Sequence, residues 1–361
     1  MSKKLEEQYK IAKRFLDNIK GSISIVFHGD GDGVTSAVQV SKYLESLGKE
    51  VILVEPNDKS GIYLSNELVE RIKDAENIVF VDLAIDQTEV PEKIHDKDVL
   101  VIDHHTIAKD LNEKENFTHI NPRFFNEKLY LPASYLCYRT LNKEEFLWIA
   151  GMGVVSDYGV RNCQDLMKEL EDRYPELVKE GLTQEKTQES KIGLYSNLIN
   201  SAKGVKGNRG LKEAYNILYD CEEHEDIMSG RLIEYHEKFE GELKKLLDDF
   251  EKNATHYSKS NSYLYKIDSK YRISSTLSTV MSGKNPGSLI FIIRENGDLQ
   301  INVRCQTDRV DVGKLTKELV KGIGKGGGHP NAAGGKIPAK NKERFMNRLK
   351  ENLDLHSFEK D

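Results

Sequence analysis

Four short apolar runs restrict what the first half of this chain can fold into. Ile23–Phe27 is too short for a helix and rich in branched residues, the signature of a strand buried on both faces. Glu50–Val54, Ile78–Val81 and Val99–Ile102 read the same way. Between and before them lie segments of helical period. Residues 5–20 place Leu5, Tyr9, Ala12, Leu16 and Ile19 on one face, and Val34–Leu47 and Leu64–Ala75 follow. Strands that alternate with helices predict right-handed crossovers and a mostly parallel sheet. Ala133–Leu141 and Phe146–Val155 read as buried helices.

The texture changes after about residue 163. From 164 to 253 there are almost no β-rich runs and many Glu and Lys residues. Leu232, Tyr235, Phe239, Leu243 and Leu246 keep helical spacing. This stretch reads as a helical insertion or connector. The remainder forms a second α/β unit. Ser262–Ile267 and Ser288–Arg294 read as strands, and Asn296-Gly297-Asp298 as a hairpin turn into Leu299–Cys305. Val312–Ile323 reads as a helix, residues 326–328 as a glycine-rich loop, Gly335–Ile337 as a short strand and Lys342–Leu353 as a final helix. The expected fold is therefore α/β. A mostly parallel sheet domain (1–163) is followed by a helical connector (164–255) and a smaller C-terminal α/β domain (256–361), with the active-site cleft between the two α/β domains.

A chain of 361 residues suits two ordinary domains. No apolar run approaches the ~18 residues of a membrane span, and Met1–Glu7 lacks an apolar signal core. The expectation is a cytoplasmic protein with no membrane partner. Cys137, Cys163, Cys221 and Cys305 are far apart and form no CxxC pair, which argues against a disulfide framework and a zinc–thiolate site. The net charge is −6, yet residues 256–361 hold 19 basic against 11 acidic residues, and the rest 34 against 48. A basic C-terminal part joined to an acidic N-terminal part suits one unit that binds an anion and one that binds cations.

The chemistry gathers where the strands of the first domain end, the edge at which open α/β sheets bind ligands. His28-Gly29-Asp30-Gly31-Asp32-Gly33 follows the first strand. If this segment is extended, His28, Asp30 and Asp32 point to one side, and aspartates this close repel unless cations lie between them. Asp82 ends the strand Ile78–Val81, where an aspartate also serves as a helix cap. Asp103-His104-His105 follows Val99–Ile102. Adjacent histidines at a strand end face opposite ways, so one can take a metal and the other can face substrate, while Asp103 can fix an imidazole tautomer. Asp157 closes Gly151-Met152-Gly153-Val154-Val155-Ser156-Asp157, a carboxylate on an otherwise apolar element. Carboxylates and imidazoles without thiolate suit Mn²⁺ or Mg²⁺, with Co²⁺ and Zn²⁺ left open.

This set, in this order, resembles the DHH phosphoesterases, named for the triplet found here as Asp103-His104-His105. Gly326-Gly327-Gly328-His329-Pro330-Asn331-Ala332-Ala333-Gly334 resembles the signature of the family's associated C-terminal domain, which accompanies RecJ-type exonucleases and nanoRNA phosphodiesterases. The resemblance implies two Mn²⁺ ions. One is held by His28, Asp30 and Asp82, the other by Asp32, Asp82, His104 and Asp157, with Asp82 bridging and His105 approaching the scissile phosphate. The single residue between His28 and Asp30 looks more like RecJ-type and archaeal exonuclease-type members than like nanoRNase or pyrophosphatase types. From the residues themselves, glycines 326–328 expose backbone N–H groups, His329 adds a donor and Arg304 can fork onto a phosphate. No Gly-Lys-Ser/Thr follows, so this is not a P-loop.

The expected function is a two-metal phosphodiesterase that cuts single-stranded DNA or RNA or short oligonucleotides as an exonuclease. A small-nucleotide phosphodiesterase or phosphatase (cyclic or linear dinucleotides, pAp) stays open, as does a non-catalytic scaffold in a replication or repair complex, and so does a homo-oligomer. Tyr263, Tyr265, Tyr271 and Phe291 are the main aromatic cluster of the C-terminal part, too few for a long stacking platform.

Overall fold

The computed structural model describes residues 3–59, 61–228, 230–307 and 309–355. The chain divides into two units, Met1–His236 and Glu237–Asp361. The first begins with α1 (Lys3–Asn18), β1 (Ile23–Phe27), α2 (Gly31–Ser46), β2 (Val51–Pro56), α3 (Asn66–Ile72), β3 (Asn77–Val81), α4 (Val90–Lys93), β4 (Asp98–Ile102) and β5 (Phe117–Ile120). The five strands are all parallel, in the order β2-β1-β3-β4-β5. Both faces are covered, which is why the strand sequences read as unbroken apolar runs. Ile25, Phe27, Val79, Val81, Leu100 and Ile102 join the core on the α1 and α2 side. Val26, Ile78, Phe80, Val99 and Val101 join a second core with Leu68 and Ile72 of α3 and Val90 of α4.

Helices α5 (Ala133–Leu141), α6 (Leu147–Ser156), α7 (Gln164–Arg173), α8 (Gln184–Gln188), α9 (Lys191–Lys206) and α10 (Asn208–Asp220) follow. The described residues from 164 to 253 contain no strand, as their composition implies. They are not a free-standing charged bundle, however. Leu166, Leu170, Ile192, Leu198, Ile199 and Leu211 are buried in the same core as β1 and α2. The long helix α11 (Arg231–Asn253) runs through the division between the units. Among the described residues no helix is long and apolar enough to cross a membrane.

The second unit contains β6 (Thr255–Tyr257), β7 (Ser262–Ile267), α12 (Ser274–Lys284), β8 (Leu289–Asn296), β9 (Asp298–Arg304), α13 (Val312–Val320), β10 (Lys325–His329), β11 (Ala332–Ile337) and α14 (Lys342–Leu355). Its sheet runs β10-β11-β9-β8-β7-β6, antiparallel except for the β7–β8 pair. One face buries Phe291, Ile293, Leu299, Ile301 and Val303 against Val312, Leu319 and Phe345.

One expectation needs correction. The glycine-rich segment is not a loop. Gly326, Gly327 and Gly328 lie in strand β10, paired with Gly335, Gly334 and Ala333. Close packing needs small residues on both sides, since a Cβ on Gly328 would sit 2.4 Å from the Ala332 carbonyl oxygen and one on Gly313 of α13 would sit 2.4 Å from the Gly328 carbonyl oxygen. Gly327 and Gly328 also hold φ of 154° and 153°, a region that side chains disfavour. The aromatic cluster of this unit is partly taken up in packing. Phe291 and Tyr265 are buried, and Tyr263 and Tyr265 pack on Phe250 of α11.

Candidate metal centre at the carboxyl edge of the parallel sheet

The strand order reverses between β1 and β3, because β2 turns outward and β3 returns to the other side of β1. The carboxyl ends of strands on either side of such a reversal leave a crevice. His28 follows β1, Asp82 follows β3, and Asp103, His104 and His105 follow β4. Asp82 sits at φ 59°, a left-handed conformation that aspartate tolerates better than most residues, and its N–H bonds the Ile102 carbonyl at 2.8 Å.

The first motif is not extended throughout. Asp30 is extended, but it caps α2 by accepting the Gly33 N–H at 3.1 Å, so the helix starts at Gly31 and Asp32 lies in its first turn. Asp32 is fully buried, and its carboxylate accepts the N–H groups of Ala133 at 2.7 Å and Ser134 at 3.0 Å. Those are orphan donors at the N-terminus of α5, where negative charge is favoured.

The side chains converge nevertheless. His28 Nδ1 lies 2.6 Å from Asp30 Oδ2 and 3.4 Å from Asp82 Oδ2. His104 Nε2 lies 3.0 Å from Asp82 Oδ1 and 3.5 Å from Asp157 Oδ2. Two triads each place a ligand atom from every member within 4.8 Å of the others: His28, Asp82 and His105, and Asp32, Asp82 and His104. Asp82 belongs to both. Asp30 and Asp157 flank them. A third group, Glu176, His224 and Glu225, joins one buried histidine to two exposed glutamates, the ordinary make-up of an ion pair.

Two observations show that these residues fit divalent cations. His28 Nδ1 and Asp82 Oδ1 are buried with no hydrogen-bond partner, although charged atoms stand 2.6 Å and 3.0 Å away. Close but off-axis approach suits atoms that share an ion better than atoms that share a proton. The charge balance agrees. Burial, then the charges of Asp82 and Asp157, hold the Asp32 carboxyl well above its ordinary range. Burial raises Asp157 to about 6. Burial alone would lower His104, but the close carboxylate of Asp82 and then those of Asp157 and Asp32 push it up to about 10. A site this short of positive charge, with oxygen and imidazole donors and no thiolate, suits Mn²⁺ or Mg²⁺.

His105 stands apart from His104. Its side chain is 32% exposed against 4%. Its Nδ1 donates to Asp103 Oδ1 at 2.7 Å, which leaves Nε2 as the nitrogen that meets a ligand. Burial alone would raise Asp103, but that hydrogen bond holds it at about 2.

Several supporting residues carry no sequence signal of their own. The Tyr130 hydroxyl donates to the Asp157 carboxylate and, at 2.9 Å, to its carbonyl. Asn57 accepts the Gly29 N–H at 2.8 Å. Asn121 donates to the His105 carbonyl and Arg123 to the His104 carbonyl, at 3.0 and 2.7 Å. Lys203, on a helix of the 164–253 stretch, helps keep Asp30 ionised against the cost of its burial. Tyr130→Phe is expected to weaken Mn²⁺ binding by roughly tenfold or more, because partners that orient ligands matter on that scale. Calorimetric titration with Mn²⁺ measures this, and an unchanged affinity would mean that Asp157 needs no such support.

The remaining candidates lie in the second unit. His329, Ala332 and Arg304 occupy one row across β10, β11 and β9, and Lys325, Lys336 and Gln300 another. Between them run Gly327, Gly334 and Asn302. Paired residues share a face and alternate residues return to it. One face therefore carries cations and amides on either side of a trough without side chains at Gly327 and Gly334.

Fold and donor set together define the class, an α/β protein with a carboxylate and imidazole cluster suited to divalent cations at the edge of its parallel sheet. Residues 22–181 match the family described as "DHH family, N-terminal domain", and residues 261–354 match the "DHHA1 domain". The chain belongs to the DHH family and carries its DHHA1 domain. It is 27% identical over 173 residues to an uncharacterized protein of Methanocaldococcus jannaschii, covering 44% of this chain and 38% of that one. Its fold is similar to RecJ in complex with Mn²⁺ from Thermus thermophilus (TM-score 0.73, 16% identity, 97% of this chain and 55% of that chain). It is also similar to exonuclease RecJ bound to manganese (0.72, 16%, 98% and 94%), and to CDC45 from Entamoeba histolytica (0.60, 11%, 97% and 98%). The chain thus spans well under half the length of the M. jannaschii relative and about half that of the T. thermophilus protein.

Proposed function

We propose that this protein is a cytoplasmic, Mn²⁺-dependent exonuclease that hydrolyses single-stranded DNA or RNA, including short oligonucleotides. The observation that carries the reading is Asp82, one buried carboxylate common to two adjacent ligand groups. His28, Asp30 and Asp82 would hold one ion, and Asp32, Asp82, His104 and Asp157 the other. When bound, a pair of divalent ions supplies Lewis acidity toward water and the scissile phosphate. His105, pushed toward its charged form by its bond to Asp103 against the opposing effect of burial, would offer Nε2–H to a phosphate oxygen. Its readiness to charge rests on that partner, because burial by itself would keep it neutral. Arg304, His329 and the backbone of Gly326, Gly327 and Gly328 would hold the nucleotide chain, supported by the cationic rows beside the glycine trough. Manganese in two structural neighbours supports the choice of ion. Four buried free cysteines support a reducing compartment.

The test is hydrolysis of 5′- and 3′-labelled single-stranded oligonucleotides of graded length, with Mn²⁺ and with EDTA. Stepwise products that vanish with EDTA are expected, and the label retained longest reveals polarity. Activity that collapses beyond a few nucleotides would move the substrate to dinucleotides or pAp. No cleavage at any length, dinucleotides included, would leave the scaffold reading.

A further inference from the structure

Tyr158 occupies a backbone position that favours glycine. It follows Asp157, the C-cap of α6, and holds φ 57°. Just past a helix end, this left-handed conformation is usually taken by glycine, because any side chain there costs free energy. The turn is tightly held. Gly159 N–H bonds the Val154 carbonyl at 2.8 Å, and a Cβ on Gly159 would meet Pro132 Cγ at 2.4 Å, so glycine is needed at 159 as well.

Burial does not offset the cost at Tyr158. The residue is 62% exposed, the highest value among the exposed large apolar and aromatic side chains of the described residues. Of the five described non-glycine residues with positive φ, two are Asp82 and Tyr158. One of these lies in the ligand cluster and the other directly follows a member of it. Backbone conformations of this kind gather at functional sites. The backbone that leads into the residue is also held. Tyr130 donates to the Asp157 carbonyl, which belongs to the peptide plane that leads into Tyr158.

We propose that Tyr158 is the stacking platform for the nucleobase beside the scissile phosphate. Its Cα lies about 3.8 Å along the chain from that of Asp157, and the Asp157 carboxylate stands 3.5 Å from His104 Nε2. The exposed side chain is thus carried on the residue next to a member of the ligand cluster. Every base has a π-face, so the platform tolerates any sequence and discriminates only against a missing base. The inference rests on the exonuclease reading and names how that site grips its substrate.

The experiment compares wild type, Tyr158→Gly and Tyr158→Trp on a thymidine pentamer and on a pentamer of abasic tetrahydrofuran units. Binding is read by fluorescence anisotropy with Ca²⁺ in place of Mn²⁺, and cleavage with Mn²⁺. Tyr158→Gly should melt at the same or a higher temperature, since it relieves the turn. It should bind the thymidine pentamer roughly ten- to a hundredfold more weakly, with KM rising in step and kcat nearly unchanged. On the abasic chain it should equal wild type, and Tyr158→Trp should keep the preference for bases. If Tyr158→Gly distinguishes the two pentamers as well as wild type does, the stacking role is overturned while the exonuclease reading stands. If wild type neither binds nor cuts either pentamer, the exonuclease reading falls and the platform with it.

Discussion

Replacing Asp82 with asparagine is expected to lower kcat on a phosphodiester substrate by a thousandfold or more, with the fold preserved. Asn has the same shape and is among the few residues that tolerate φ 59°. Its N–H would keep the bond to the Ile102 carbonyl. What changes is charge. Asp82 is the one member common to both ligand groups, so its loss would weaken both of the proposed ion sites together. Several kcal/mol of charge stabilisation then disappears from the barrier, which amounts to roughly a thousandfold in rate. Binding gives a second readout. At a hundred times its Kd, Mn²⁺ should stabilise the wild-type protein by about 2.7 kcal/mol. For a unit of this size that is a rise in melting temperature of roughly 5–10 °C. Asp82→Asn should lose most of that rise. Without metal the variant should be at least as stable as wild type, because it removes one charge from a crowded group of buried carboxylates. A variant that kept a tenth of wild-type activity and the full Mn²⁺-induced rise would show that no carboxylate is shared here.

The strands of the first sheet are legible because both their faces are buried. β1, β3 and β4 are continuous apolar runs, and nothing but a central strand explains such a run at that length. β5 escapes the same reading because Thr118 and His119 interrupt it, although His119 is buried. α12 is hidden by its serines and threonines, which favour turns when judged locally. β10 misleads in the other direction. Three glycines carry no strand preference, and their strand is imposed by β11 on one side and by the close approach of α13 on the other.

The ligand candidates share the legibility of the strands they follow. Their supports do not, because they arrive from loops far along the chain. Tyr130 meets Asp157, and the backbone of Ala133 and Ser134 meets Asp32 about a hundred residues away. No local pattern marks a contact made by the return of a distant loop. Lys203 is hidden for a different reason. Its stretch is rich in Lys and Glu, so one lysine near Asp30 looks like any other until the apolar face of α9 is seen in the core.

Gly33→Ala is expected to destabilise the first unit by about 3 kcal/mol and to abolish Mn²⁺ binding. Helix preference alone argues the opposite, since alanine inside a helix is better than glycine by about 1 kcal/mol. Space decides the sign. A Cβ on Gly33 would lie 2.0 Å from the His28 carbonyl oxygen and 2.8 Å from the His28 carbonyl carbon and nitrogen. These are backbone atoms, and they are not free to move. His28 N–H bonds the Val81 carbonyl at 3.2 Å, and the His28 carbonyl accepts the Asp30 N–H at 2.9 Å. Either the His28 peptide gives way or the first turn of α2 withdraws. The first choice displaces His28, the second Asp32, and each takes a ligand out of the cluster. Overpacking of this kind costs ~1–3 kcal/mol, more where backbone must shift. Gly241→Ala is the control. Gly241 lies within α11, and a Cβ there meets nothing within 4 Å, so the same exchange should stabilise by roughly 0.5–1 kcal/mol. Urea unfolding and Mn²⁺ calorimetry on both variants separate crowding from helix preference. If Gly33→Ala matched wild type in both measurements, the close approach of α2 to the end of β1 could not be what brings His28 and Asp32 to one centre.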